Sequence, residues 1–320
     1  MSLSIRVACF ALVVLAHAGV SAVYGQAFPT RVIRIVTTEP GTSTDVAARL
    51  IAQGISNSNL GQRSIVENRG FSAIENVAKS PPDGHSLLLY TSPLWLMPFM
   101  RENTPWDPLR DFTPLTLVVN SPYVLAASPS LQVNNVMELI ALARSRPGAL
   151  NYGSSSAGSA NHLAAELLKS MAVVDIVRIP YKGAGPALSG MLAGQVQMMF
   201  AGYGAVAPHI KTGKLVALAV TTAQPTPLVP GVPTIAASGV PGFEASSLAG
   251  MFVAAKTPPT LVNLLNREIV RVMQKPEIKE RLFEFGTEGV GSSPEEFTAR
   301  IRSEMATMGK LISVLGIRAD

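Results

Sequence analysis

Apolar positions along the chain fall into short runs that alternate with helically spaced stripes. Residues 31–36 (RVIRIV) read as a strand, and the next segment carries Val46, Leu50, Ile51 and Ile55 on one helix face. Thr42 is placed to cap that helix, with Asp45 at N3, where the helix dipole favours an acid. Further strands are expected at 64–66, 86–90, 115–119 and 124–127, and the Pro-rich, aromatic stretch 92–114 reads as a loop. A second block repeats the alternation, with helices over 136–144, 159–171 and 185–192 and strands over 150–152, 176–179, 197–200 and 215–220. The run 225–233 (PTPLVPGVP) is a rigid loop, because proline neither continues a helix nor donates to a ladder. A strand at 251–255 and three helices close the chain. The last helix has a capping box, Ser293 with Glu296 at N3 and Pro294 at N1, followed by Phe297, Ile301, Met305, Met308 and Ile312 on one face. Strands alternating with helices define an α/β fold.

Composition narrows the class. The 320 residues suggest about two domains, and 48% hydrophobic against 15% charged residues excludes a disordered or coiled-coil chain. A net charge of +5 is small and its basic residues are scattered, so no nucleic-acid tract is expected, whereas a small anion suits it. Residues 1–27 read as a signal peptide, with Arg6 before an apolar run and small-residue cleavage options between 22 and 27. The single cysteine, Cys9, lies inside that segment, so the exported protein would need neither disulfides nor a reducing compartment.

Enzyme motifs are sparse. The chain has no GxxxxGK[ST] loop, and Gly183-Ala184-Gly185 lacks the third glycine of a dinucleotide fingerprint. His17, His85, His162 and His209 match no metal-ligand spacing, so neither a metal nor a cofactor is expected. The informative stretch is 153–159 (GSSSAGS), between a strand and a helix, where glycines and a helix start make an anion site. Two other readings stay open: a flexible Gly/Ser linker, and a degraded nucleophile elbow with Ser156 as nucleophile, Asp175 as orienting acid and His209 as base. Pro40-Gly41-Thr42-Ser43-Thr44-Asp45 repeats the strand-end, helix-start logic in the first block. Two such sites suggest a cleft outside the carboxyl ends of the strands.

Many short pieces, in order, carry a resemblance that spans the chain after residue 27: Pro40-Gly41 with Asp45 to Leu50, Val66-Glu67-Asn68-Arg69, Pro82-Asp83-Gly84, Leu150 to Ser155 and His162-Leu163. Pro180-Tyr181-Lys182-Gly183, Pro208-His209-Ile210, Val232-Pro233-Thr234 and Pro294-Glu295-Glu296-Phe297 continue it. The sequence resembles the Bug family, the substrate-binding proteins of tripartite tricarboxylate transporters. The resemblance implies a type 2 periplasmic binding fold, in which two α/β domains joined by a two-segment hinge close over a small carboxylated solute, without catalysis. It maps one ligand loop onto Gly41, Thr42, Ser43 and Asp45, a second onto Thr91 and Ser92, and the serine-rich loop onto Ser154, Ser155, Ser156, Gly158 and Ser159. The loop that often carries Asp or Asn is Ala201-Gly202-Tyr203 here. That loss of an acid argues against an amino-acid ligand, and Tyr203 and Trp95 point to an aromatic or larger acid.

Domain I is expected at 28–127 plus 248–320 and domain II at 128–247, with the hinge where the chain crosses. The reading is a periplasmic monomer that delivers a di- or tricarboxylate or aromatic acid to a membrane permease, or reports it to a sensor kinase. Met198, Met199, Met305 and Met308 are assigned to core packing.

Overall fold

The computed structural model describes residues 28–58 and 60–319, so the expected signal peptide, with Cys9 and His17, lies outside the described residues. In chain order the elements are β1 (Ile33–Thr37), α1 (Ser43–Ser56), β2 (Ser64–Asn68), α2 (Ser72–Ala78), β3 (Ser86–Thr91), α3 (Pro93–Met100) and β4 (Phe112–Ala127). They continue with α4 (Val136–Ser145), β5 (Asn151–Ser154), α5 (Ala160–Ala172), β6 (Val177–Pro180), α6 (Ala184–Leu192), β7 (Met198–Gly202), α7 (Tyr203–Lys211) and β8 (Val216–Val220). Then come β9 (Ser246–Ala254), α8 (Pro259–Met273), α9 (Pro276–Glu284), β10 (Glu288–Gly289) and α10 (Pro294–Leu315).

Hydrogen bonding gives two sheets that share one strand. The first runs β2-β1-β3-β9-β4-β10 and the second β6-β5-β7-β4-β8. The β1–β2, β1–β3, β5–β6 and β5–β7 pairs are parallel, and all pairs made by β4 are antiparallel. Residues 112–122 of β4 pair with β9, while Tyr123 onward pairs with β7 and β8. The change of partner falls at Pro122, a residue with no N–H to give a ladder. The two strands expected at 115–119 and 124–127 are therefore one strand of 16 residues.

The strands bury both faces, as the continuous apolar runs require. Along β3, Leu87 and Leu89 face α1 and α8, together with Ala47, Ile51, Leu265 and Ile269. Leu88 and Tyr90 face the opposite way, into an apolar cluster with Trp95, Phe252 and Phe297. That cluster runs on without a break into the second sheet, through Leu125, Tyr152, Leu163 and Phe200. The far side of the second sheet packs Val124, Ala126, Met199 and Ala201 against Ala187 and Met191 of α6 and Val206 of α7.

Residues 93–100, expected within a loop, are helical. Pro98 inside this helix removes the N–H that would bond the Leu94 carbonyl. The indole Nε1 of Trp106 donates to that carbonyl at 2.8 Å, so the loop itself repairs the helix. Trp106→Phe keeps a ring but orphans the buried carbonyl, and is expected to lower unfolding free energy by about 1–3 kcal/mol. Denaturant melts check this, and a variant as stable as the parent overturns the account. Of Ala201-Gly202-Tyr203, mapped onto a family loop, Ala201 and Gly202 end β7 and Tyr203 opens the helix α7.

Candidate functional site

A cavity of about 220 Å³ opens where the carboxyl ends of the strands meet the crossing strands. One wall comes from Thr91 and Ser92 at the end of β3 and from Leu96 of α3. The facing wall is Gly158, Ser159, Ala160 and Leu163, the loop and first turn of α5. Tyr123 of β4 and Ser246 and Ser247 of β9 form the floor, and Glu304 and Met308 of α10 close the side. Met308, assigned to the core, is thus also cavity wall.

The polar groups on this wall are held in defined states. Glu304 accepts from the Ser92 hydroxyl at 3.1 Å and from the Trp95 indole at 2.9 Å, so Ser92 leaves its helix uncapped to serve the acid. Burial pushes the Glu304 carboxyl up to about 7, against the lowering effect of those two hydrogen bonds and of Arg300. Arg300 is itself paired with Glu244 at 2.7 Å. Burial likewise raises the Tyr123 phenol to about 12, so it stays a neutral donor. The Ser246 hydroxyl is buried, 7% exposed as a residue, and has no hydrogen-bond partner. Ser246 lines the cavity with its other atoms, while its hydroxyl oxygen is itself shut off from solvent.

The serine-rich loop is braced from within. Ser154 is fully buried, and its Oγ accepts from Arg178 Nε at 2.8 Å. Ser155 and Ser159 both donate to Asn161 Oδ1, at 2.8 and 2.7 Å. The Gly158 N–H donates to His162 Nδ1 at 2.9 Å. Burial, reinforced by Arg178, depresses the His162 imidazole to about 4 and keeps it the neutral acceptor that this bond needs. Gly158 has φ +73°, and a Cβ there would overlap Met100 of α3.

The β1–α1 loop is organised the same way. Asp45 accepts from the Gly41 N–H at 3.0 Å, from Asn68 at 2.8 Å and from Arg49 at 3.2 Å, while Thr42 caps α1 through the Asp45 N–H. Burial alone would raise the Asp45 carboxyl, but the bonds from Asn68, Gly41 and Arg49 outweigh it and hold it below the ordinary range.

Of the sequence-predicted site residues, Thr91, Ser92, Gly158 and Ser159 meet on the cavity wall. Gly41, Thr42, Ser43 and Asp45 stand at the carboxyl end of β1, the same sheet edge as Thr91, outside that wall. Ser154, Ser155 and Ser156 are not part of the lining: Ser154 is buried, Ser155 half-buried and Ser156 exposed. Ala201 is buried within β7, and Tyr203 opens α7 and packs on the same cluster. Trp95, expected to face the ligand, is fully buried and presents only its N–H, to Glu304.

The hydrolase reading fails on geometry. Asp175 precedes β6 while Ser156 follows β5, and the two strands are parallel and in register, so acid and nucleophile sit at opposite sheet edges.

Sequence reasoning missed Glu304, Tyr123 and Ser246. The signal for Glu304 was present: residue 304 is three after Ile301 and four before Met308, so a carboxylate falls on the apolar stripe of α10.

Two α/β sheets bridged by the one strand they share, with a cavity beside the crossing, define a two-domain solute-binding architecture. Residues 47–317 match the model of the tripartite tricarboxylate transporter family receptor. The chain is 34% identical to BugT of Bordetella pertussis over 312 residues, 95% of each protein. It superposes on R. palustris Rpa4515 with adipate at a TM-score of 0.73 and 34% identity, covering 91% of this chain and 99% of that one. MatC of Rhodopseudomonas palustris with bound malate gives 0.69 at 27% identity, with 89% and 100% covered. The chain belongs to the tripartite tricarboxylate transporter receptor family, whose members are periplasmic substrate-binding proteins and not enzymes. Its fold is the α/β, type 2 periplasmic binding fold.

Proposed function

We propose that this protein is exported through residues 1–27, captures a small carboxylated solute in the cavity beside Ser246 and the start of α5, and delivers it to a tripartite-type membrane permease. The observation that carries the reading is a cavity lined by the first turn of α5 and by the neutral Tyr123 phenol. Backbone N–H groups of a helix's first turn have no partner inside the helix, and they favour an anion. The adipate and malate of the two neighbours make di-acids the first probes.

The lobes of this reading are 28–127 with 248–320, and 128–247. Sheet pairing supports them, with the crossings a few residues earlier than expected: β4 changes partners at Pro122, and Ala245 bonds Thr221 of the second lobe before β9 begins. Closing the lobes would dry the cavity and strengthen each charge-assisted hydrogen bond.

A thermal-shift panel of mono-, di- and tricarboxylates and aromatic acids tests the function. At 100 times its dissociation constant a ligand adds about 2.7 kcal/mol to unfolding free energy, so at least one acid should raise Tm by several degrees. Tyr123→Phe, which removes the phenol and keeps the ring, should shrink that shift. Flat curves across the panel overturn the reading.

A further inference from the structure

The cavity carries donors for an anion, yet its one carboxyl group is unexplained by a plain carboxylate ligand. Among the described residues no lysine, arginine or histidine lines the cavity, and Glu304 is its only acidic side chain. Its oxygens each accept one bond, Oε1 from Ser92 and Oε2 from Trp95. A carboxylate has about four lone-pair sites, so capacity remains for a donor in the cavity. No neighbour cancels the charge. On its own helix Arg300 stands one turn earlier and is committed to Glu244, which comes from the segment before β9 and adds a like charge. The faces of α3 and β4 present neutral groups, the Ser92 hydroxyl, the Trp95 indole and the Tyr123 phenol. A solute that fills the cavity removes the remaining water from Glu304, and an ionised carboxylate dried without a partner is costly.

We propose that Glu304 is a specificity-determining residue that selects a carboxylated solute also bearing a hydrogen-bond donor, a hydroxyl or an ammonium group, over the donor-free acid of the same length. This rests on the carboxylate-binding function proposed above. It also revises the expectation from Ala201: the acid missing from the β7–α7 junction has a counterpart on α10, supplied from a different element. The α5 start would take the carboxylate, and Glu304 the donor.

Matched acids separate the possibilities. Succinate, malate and aspartate share one carbon skeleton and differ only at carbon 2, as do glutarate, 2-hydroxyglutarate and glutamate. Calorimetric titration of the folded protein at pH 8, where Glu304 is ionised, should show the hydroxy or amino member binding about tenfold or more tightly than the plain acid. Which of the two wins identifies the donor as hydroxyl or ammonium. Glu304→Gln keeps the size of the side chain and an oxygen for the Trp95 N–H, and its amide N–H₂ can donate to an acid. In that variant the preference should collapse to within about threefold, mainly by a gain for the plain acid. Plain acids preferred by the parent protein, or an unchanged ratio in Glu304→Gln, overturn the assignment. No binding by any acid sinks the carboxylate reading itself, an outcome distinct from binding that ignores residue 304.

Discussion

Gly250→Val is expected to destabilise the protein by about 4 kcal/mol or more, above the usual range of about 1–3 kcal/mol for an overpacked core. Gly250 lies in the middle of β9, and a Cβ built there would overlap the ring of Phe297. The ring cannot step aside. Phe297 is fully buried, with Phe252 at 5.1 Å and Trp95 edge-on at 6.2 Å between ring centroids. Valine adds two further carbons to the collision, and protein interiors of crystal-like density have no slack to absorb them. Denaturant unfolding measures the loss. Phe297→Ala costs stability alone, yet in the Gly250→Val background it should recover part of the deficit, because each change removes the other's problem. Strictly additive losses in the double variant would show that the contact is not the cause.

The second large effect is a pair of opposed pH dependences at the cavity. His162 is buried neutral with its pKa depressed from 6.5 to about 4, so the unfolded chain takes up a proton before the native protein does. Stability from this group is complete above pH 6.5, falls as pH drops through that window and levels off near 4, a loss of about 3 kcal/mol at most. Glu304 has the opposite sign. Its pKa is raised from 4.5 to about 7, so its stabilising contribution is full below pH 4.5 and is lost as pH rises through 7. Across the overlap the two cancel in part, and the parent protein should show a shallow stability profile between pH 7 and 4.5. Each variant should unmask the other group. Glu304→Gln should stabilise the protein at pH 8 and expose the acid loss due to His162. His162→Asn, whose Oδ1 can accept from the Gly158 N–H, should leave a profile that rises on acidification. Chemical melts at half-unit pH steps would read both slopes, and profiles parallel to the parent's in both variants would contradict the assigned burial.

What could be read from the chain depended on whether the signal was local. The capping box of α10 formed as its spacing requires, with Glu296 N–H donating to Ser293 Oγ at 3.1 Å and Ser293 N–H to Glu296 Oε2 at 2.9 Å. The Thr42 cap of α1 was equally legible. By contrast α3 was hidden, because Pro98 argues against a helix unless something distant satisfies Leu94, and Trp106 supplies that partner across a loop. At the site, the glycine- and serine-rich strand end pointed to Gly158 and Ser159 and the family resemblance to Thr91 and Ser92, and these four line the cavity. They could not show that Ser154 would be spent on Arg178, nor that Ser155 and Ser159 would be spent on Asn161, since those partners are fixed by tertiary packing. Glu304 lay more than 200 residues from Ser92 and Trp95 in the chain, and only the fold brings them together.

The strand shared by the two sheets bears on modularity. Excised alone, the segment 128–247 would leave β7 and β8 on either side of a gap, because the strand that joins them, the last five residues of β4, belongs to the preceding segment. The flanking lobe would in turn end in a strand whose final stretch has nothing to pair with. The lobe that looks like an insertion in the primary sequence is therefore not a portable cassette. Grafting its ligand specificity onto another member of the family would require cutting beyond Pro122, so that the transplanted piece carries its own central strand.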